Sequence, residues 1–202
     1  MAIRRREPRK DAGDGKTGQP AAPPPCSCCG GGLDASDPRF NITLPEPVAT
    51  LDDAEYARQV TVANDAIVVA QDIGGFVRAL LPIGLDDGRT TTIGVWVGVA
   101  PEVFAHVVTV GRGERDYDEM QFDGRLANPL DPWGDRVYGK PVSAGVDVPS
   151  RGRRRTPRLL ASPDPLVTRI LTERWPAADI LTGTRAWALP YDPQAPRATH
   201  HH

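Results

Sequence analysis

Period-two alternation is the clearest signal in the chain. Between Thr90 and Val99, the residues Ile93, Val95, Val97 and Val99 alternate with Thr92, Gly94, Trp96 and Gly98, the pattern of a strand with one buried face. Phe76 to Ile83 predicts the strand before it, ended by Pro82 and by the turn residues Asp86-Asp87-Gly88. Upstream, Asp65 to Gln71 contains Ile67-Val68-Val69, a short buried strand. Successive strands joined by short turns make a hairpin or meander, which points to an antiparallel sheet and away from a βαβ crossover.

Helical spacing recurs on either side of these strands. Thr50-Leu51-Asp52-Asp53 reads as a helix start, with Thr50 accepting from a free backbone N–H and the acids favouring the positive helix end. Tyr56 and Val60 then lie four apart on one face. Pro101 opens a second helix, whose apolar face is Val103, Phe104, Val107 and Val108. Ser162 is the expected cap of a third, in which Leu166, Val167, Ile170, Leu171 and Trp175 keep helical spacing until Pro176 stops it. Residues 112–125 read as a charged loop with a short strand at Met120 to Phe122. Asn128 to Ser150 reads as irregular, with short strands at Val137-Tyr138 and Val142 to Val146, and Pro157 to Ala161 as an edge strand. The expected fold is α+β: a single domain in which two to three helices pack on an antiparallel sheet.

Composition sets the limits of that domain. Of the 21 prolines in 202 residues, eight precede residue 48 and three follow residue 189, so the excess marks the ends. Residues 1–25 hold almost nothing to bury and are expected to be a disordered tail. The domain is expected to run over 26–189, with a C-terminal tail at 190–202. This distribution excludes a coiled coil, a collagen-like chain and a wholly disordered protein. Pro129, Pro132, Pro141 and Pro149 define one irregular stretch between the sheet and the last helix, a better place to look for any unusual binding surface than the N-terminal tail. A formal net charge of -2 supplies no global field for nucleic acid or an anionic membrane. The longest apolar-looking stretch, Ile93 to Val110, is broken by Pro101, Glu102 and His106, so no membrane span is predicted. Arg4-Arg5-Arg6 has no apolar run behind it, which argues against a secretory signal and for a cytoplasmic, reducing compartment.

Candidate chemistry is sparse. Cys26-Ser27-Cys28-Cys29-Gly30 has the two-residue gap of a zinc knuckle, in which two thiolates turn onto one ion and a glycine relieves the turn. A structural zinc needs four ligands, and no second cysteine pair exists. The alternatives are therefore ordinary thiols at a structural turn, or a zinc site of Cys26, Cys28 and Cys29 with Asp34 or Asp37 completing the shell. His106 is the sole histidine before the terminal His200-His201-His202, and it sits off the apolar face of its helix. Nucleophilic catalysis wants a histidine beside its serine or cysteine, and no Gly-x-Ser-x-Gly elbow is present. Asp14-Gly15-Lys16-Thr17 resembles the end of a phosphate loop, but Lys10 stands where the first glycine belongs. Within Arg151 to Arg158, the alternate residues Arg153 and Arg155 would make an anion-binding fork if the stretch were extended. The other reading is an edge strand protected by charge. Aromatic residues are not interleaved with this patch, which excludes nucleic acid as the expected partner. The function expected from the residues is a non-enzymatic binding domain without cofactor. It would engage a protein or a small ligand on an open sheet through an exposed Trp96, and zinc binding by the cysteines is the alternative.

Several landmarks in order resemble the bacterial proteins called domain of unknown function 2199. They are Cys26 to Gly30, Leu44-Pro45, Tyr56 to Val60, Asp65 to Val69, Phe76-Val77-Arg78, Gly94-Val95-Trp96-Val97 with Phe104 after it, and the helix Ser162 to Arg174. The resemblance covers roughly residues 26–180, and its specific pieces are the cysteine cluster and the Gly-Val-Trp-Val strand. Members commonly have a histidine shortly after Cys-Cys-Gly, near Leu33 here, and a His-Pro pair where this chain has Asp164-Pro165. The resemblance implies domain boundaries and no established activity.

Overall fold

The computed structural model describes residues 39–63, 65–111, 120–146, 156–187 and 189–190. The expected N-terminal tail, Cys26, Cys28, Cys29, Arg153 and Arg155 lie outside the described residues, as does nearly all of the expected C-terminal tail. In chain order the elements are β1 (Arg39–Asn41), α1 (Glu46–Ala49), α2 (Asp53–Gln59), β2 (Val60–Ala63), β3 (Ile67–Ala70), β4 (Gly74–Leu85), β5 (Thr90–Val99), α3 (Pro101–Gly111), β6 (Gln121–Leu126), β7 (Pro141–Gly145), β8 (Arg158–Ala161), α4 (Pro165–Thr172), β9 (Arg174–Trp175), α5 (Ala177–Trp187) and β10 (Leu189–Pro190).

The hairpin of β4 and β5 is the spine, paired antiparallel over ten positions from Gly75↔Val99 to Gly84↔Thr90. Its turn closes through Leu85 N–H donating to the Arg89 carbonyl at 2.9 Å, with Gly88 at φ 90, a conformation L side chains resist. From β5 the sheet continues antiparallel through β6, β7 and β8, and β8 returns parallel to β4 at Leu80↔Arg158. The expected open antiparallel sheet is therefore a closed mixed barrel of β4-β5-β6-β7-β8, extended by β3 and β2 from β4 and by β1 and β10 from β5. Register places Val77, Ala79, Leu81, Ile83, Ile93, Val95 and Val97 on one face, and all are buried. Phe122, Leu126, Val142, Ala144 and Leu159 continue that face around the barrel. Non-directional burial of these side chains is the main stabilising term.

Closure explains the differences from the sequence pattern. Pro82 does not end β4, because Leu80 N–H donates to the Pro157 carbonyl, away from β5. By the alternation of a strand, Pro82 also turns its donorless nitrogen that way, between β8 at Leu80 and β9 at Gly84. The expected edge strand, β8, pairs on both sides and is the seam of the barrel. Trp96, expected to be exposed, is 0% exposed, since both faces of β5 are covered near its middle. Val137-Tyr138 forms a turn, with Tyr138 N–H donating to the Asp135 carbonyl at 3.1 Å.

Helix ends shift for local reasons. Asp52, not Thr50, caps α2 by accepting from Glu55 N–H at 2.8 Å, while Thr50 closes α1. Val60 leaves the helix and begins β2. Asp164, not Ser162, caps α4, accepting from Leu166 and Val167 N–H at 3.0 and 3.1 Å. Ser162 sits one step earlier, accepting from Asp164 N–H at 3.0 Å. The helix stops at Thr172, because Arg174-Trp175 pairs with Gly84-Leu85. Beyond Pro176 a further helix forms, α5, which the pattern does not predict. The α3 helix starts at Pro101 as expected and lays Phe104 against Gly75, where a Cβ would come within 2.7 Å of the ring.

The α4 cap carries a pH signature. Lys140 Nζ lies 3.0 Å from Asp164 Oδ2, and hydrogen bonding from Lys140 and then from the Val167 N–H holds the Asp164 carboxyl below its usual value. A carboxyl depressed in the folded state contributes stability above its unfolded pKa and loses it as pH falls through the folded one. Asp164→Ala should therefore cost about 1 kcal/mol near neutral pH. That penalty should shrink as pH drops below the ordinary carboxylate range, as urea denaturation on both sides of it would read.

Candidate functional site

Buried Trp96 organises a region where distant segments are tied together by buried polar contacts. Its indole Nε1–H donates to the Ile42 carbonyl at 3.1 Å, and its backbone N–H to Asn128 Oδ1 at 2.9 Å. Asn128, 1% exposed, passes the connection on by donating from Nδ2 to the Leu44 carbonyl at 3.0 Å. Backbone contacts complete the weave: Ile42 N–H to the Gly94 carbonyl, Ala127 N–H to the Trp96 carbonyl and Glu46 N–H to the Ala127 carbonyl, at 2.9, 2.8 and 2.8 Å. Beside them, the Arg78 guanidinium lies 4.2 Å from the Trp96 ring. Its Nε donates to the Asp65 carbonyl at 2.6 Å. A Cβ at Gly94 would collide with Asn41 Oδ1, so the Asn41 side chain would have to move to admit one.

Between segments 42–49 and 128–131 this weave leaves an open cleft of about 430 Å³, a size that suits a small ligand or a few side chains of a partner. Ile42, Leu44, Ala49 and Pro129 supply apolar wall, Thr43 and Asn128 neutral polar groups, and Glu46 and Asp131 carboxylates. No cation lines the cleft among the described residues. Its field therefore favours a positive group or a hydrogen-bond donor. Asn128, Pro129 and Asp131 belong to the proline-defined irregular stretch.

The other sequence candidates fall elsewhere. Arg158, the described end of the arginine patch, is exposed at the start of β8. His106 is half-buried on α3, with its carbonyl accepting from Thr109 Oγ1 at 2.7 Å. Among the described residues, no three or more His, Cys, Asp or Glu side chains are grouped so as to hold a metal ion. No helix among them is long and apolar enough to cross a membrane. Sequence reasoning missed Asn41, Asn128, Glu46 and Asp131. Only the Asn128-Pro129 step hinted at a turn, and nothing local announces a bond from residue 128 to residue 96.

A family model described as an uncharacterized protein conserved in bacteria, DUF2199, matches residues 25–167. The chain belongs to this family. The DUF2199 match opens one residue before Cys26 and runs into α4, so it takes in the cysteine cluster, the whole barrel and the cleft. No curated protein and no solved structure matches the chain. Two of the stretches that carry the family resemblance, Phe76-Val77-Arg78 and Gly94-Val95-Trp96-Val97, are neighbours in the barrel, with Arg78 paired to Trp96. Of these DUF2199 residues, Gly94 and Trp96 bond Ile42 and Asn128, two residues that line the cleft.

Proposed function

We propose that this DUF2199 protein is a non-enzymatic binding domain whose partner, a protein segment or a small ligand, enters the cleft beside Trp96. The observation that carries the reading is Asn128. A buried side chain joins Trp96 to Leu44 across 32 and 84 residues of sequence, holding both walls in a fixed relation before anything binds. Such preorganisation lowers the cost of association. Because the sheet is closed and Trp96 is buried, support for this reading comes from the cleft. A photo-reactive p-benzoylphenylalanine at exposed Thr43, on the cleft lip, should give discrete intermolecular adducts in cells. The same group at exposed Thr61 on β2 should not. Identical adducts from both positions, or none from Thr43, would overturn the reading.

Zinc binding by Cys26, Cys28 and Cys29 stands as a second reading, and what supports it is that the family match begins at residue 25 and includes the cluster. Elemental analysis of protein lacking the terminal histidines should then find zinc near one equivalent, lost in Cys26→Ser. Sub-stoichiometric metal unchanged by that substitution would sink it.

A further inference from the structure

Carboxylates are concentrated in the chain on and next to the cleft wall. From Ile42 to Ala57 the chain has no Lys or Arg, while Glu46, Asp52, Asp53 and Glu55 fall within it. Asp52 and Asp53 are exposed, three and four residues past Ala49 on the cleft wall. Asp131, on the opposite wall, is exposed as well. The first sixteen residues have the opposite balance: Arg4, Arg5, Arg6, Arg9, Lys10 and Lys16 against Glu7, Asp11 and Asp14. This segment is tethered beside the surface it complements, because β1 begins at Arg39 and the cleft wall at Ile42. The 23 residues from Lys16 to Arg39 can span at most about 75 Å. A tether of that length gives an effective concentration near millimolar, so modest Coulomb attraction is enough to populate the contact.

We infer that the basic segment Arg4 to Lys16 docks on the carboxylates of Glu46 and Asp131 of its own chain. In doing so it competes with whatever the cleft takes from outside. The competition rests on the reading of the cleft as a binding site; the docking itself does not. An outside ligand must displace the segment, so apparent affinity rises with ionic strength if the ligand is neutral, since salt screens the tail contact.

The chain carries its own means of testing this. It has three lysines, Lys10, Lys16 and Lys140, and Lys140 already lies 3.0 Å from Asp164. Zero-length carbodiimide coupling of the full chain, followed by peptide mass spectrometry of the monomer, should join Lys10 or Lys16 to Glu46 or Asp131. The Lys140–Asp164 link should form in the same sample as the internal standard. The tail links should fall about fivefold or more at roughly 0.5 M salt. They should fall likewise in the triple variant Arg4→Glu, Arg5→Glu, Arg6→Glu, which leaves the barrel untouched, and vanish in Glu46→Gln with Asp131→Asn. Three results would overturn the inference while Lys140–Asp164 forms normally: no tail link, tail links spread evenly to remote acids such as Asp72 and Asp86, or tail links confined to a dimer. An intermolecular adduct from Thr43 would survive that failure, so the cleft reading and the docking fail separately.

Discussion

Gly124→Ala is expected to lower the unfolding free energy by about 3 kcal/mol, at the upper end of what overpacking usually costs. Gly124 lies on the β6 face shared with Phe122 and Leu126, against the crossing point of β5. A Cβ there would come 2.5 Å from the Gly98 carbonyl oxygen, 2.5 Å from Val97 Cγ1 and 3.1 Å from Val99 Cγ1. Side chains can rotate away from an intruding methyl, but the carbonyl oxygen is backbone and belongs to the β5–β6 pairing itself. Relief therefore requires β6 to move off β5, at a point where Val97↔Leu126 and Gly98↔Arg125 are the pairs that join the strands. Guanidinium denaturation should show a lower midpoint. Amide exchange should speed up in β6 and β7 before it does in the β4–β5 hairpin. A midpoint within experimental error of the parent protein would contradict the close approach.

Trp96→Ala should cost still more, about 4 kcal/mol. The substitution empties the largest fully buried side-chain position, strips the Ile42 carbonyl of its indole donor and removes the ring beneath Arg78. Trp96→Phe separates these contributions. It keeps an aromatic ring but leaves the Ile42 carbonyl without that donor, for about 1–3 kcal/mol. Both variants retain the backbone N–H that Asn128 accepts from, so the wall at 128–131 should hold its place while the wall at 42–44 loosens. Hydrogen exchange at Ile42 N–H, which donates to the Gly94 carbonyl, reads that asymmetry. Equal loosening of both walls would show that Trp96 does not organise the cleft as described.

The legible parts of the fold are those decided by neighbours in sequence. Strand β5 begins at Thr90 and ends at Val99, where the alternation ends, and α3 begins at Pro101. Both follow from periods of two and 3.6 with a break between them. Helix caps were legible in kind and displaced in position. Each stretch offers two acceptors, Thr50 and Asp52 or Ser162 and Asp164, and the choice falls on the one whose carboxylate reaches the free N–H groups of the first turn. Misreadings gathered where the chain meets a remote segment. Pro82 looks like a strand end until β8 and β9 are seen to flank it, and Trp175 looks helical until it pairs beside Leu85.

The sequence by itself determined that a single α+β domain lies between proline-rich ends, that its spine is the hairpin of β4 and β5, and which family it belongs to. Tertiary structure alone decided that the sheet closes. Closure makes a seam of the expected edge strand β8, while the segments around Ile42 and Asn128 cover the outer face of β5, which buries Trp96 and forms the cleft. The physical reason is that alternation specifies which residues share a face, whereas closure depends on pairings such as Leu80↔Arg158 and Val97↔Leu126. These join residues tens of positions apart and leave no mark in any local window.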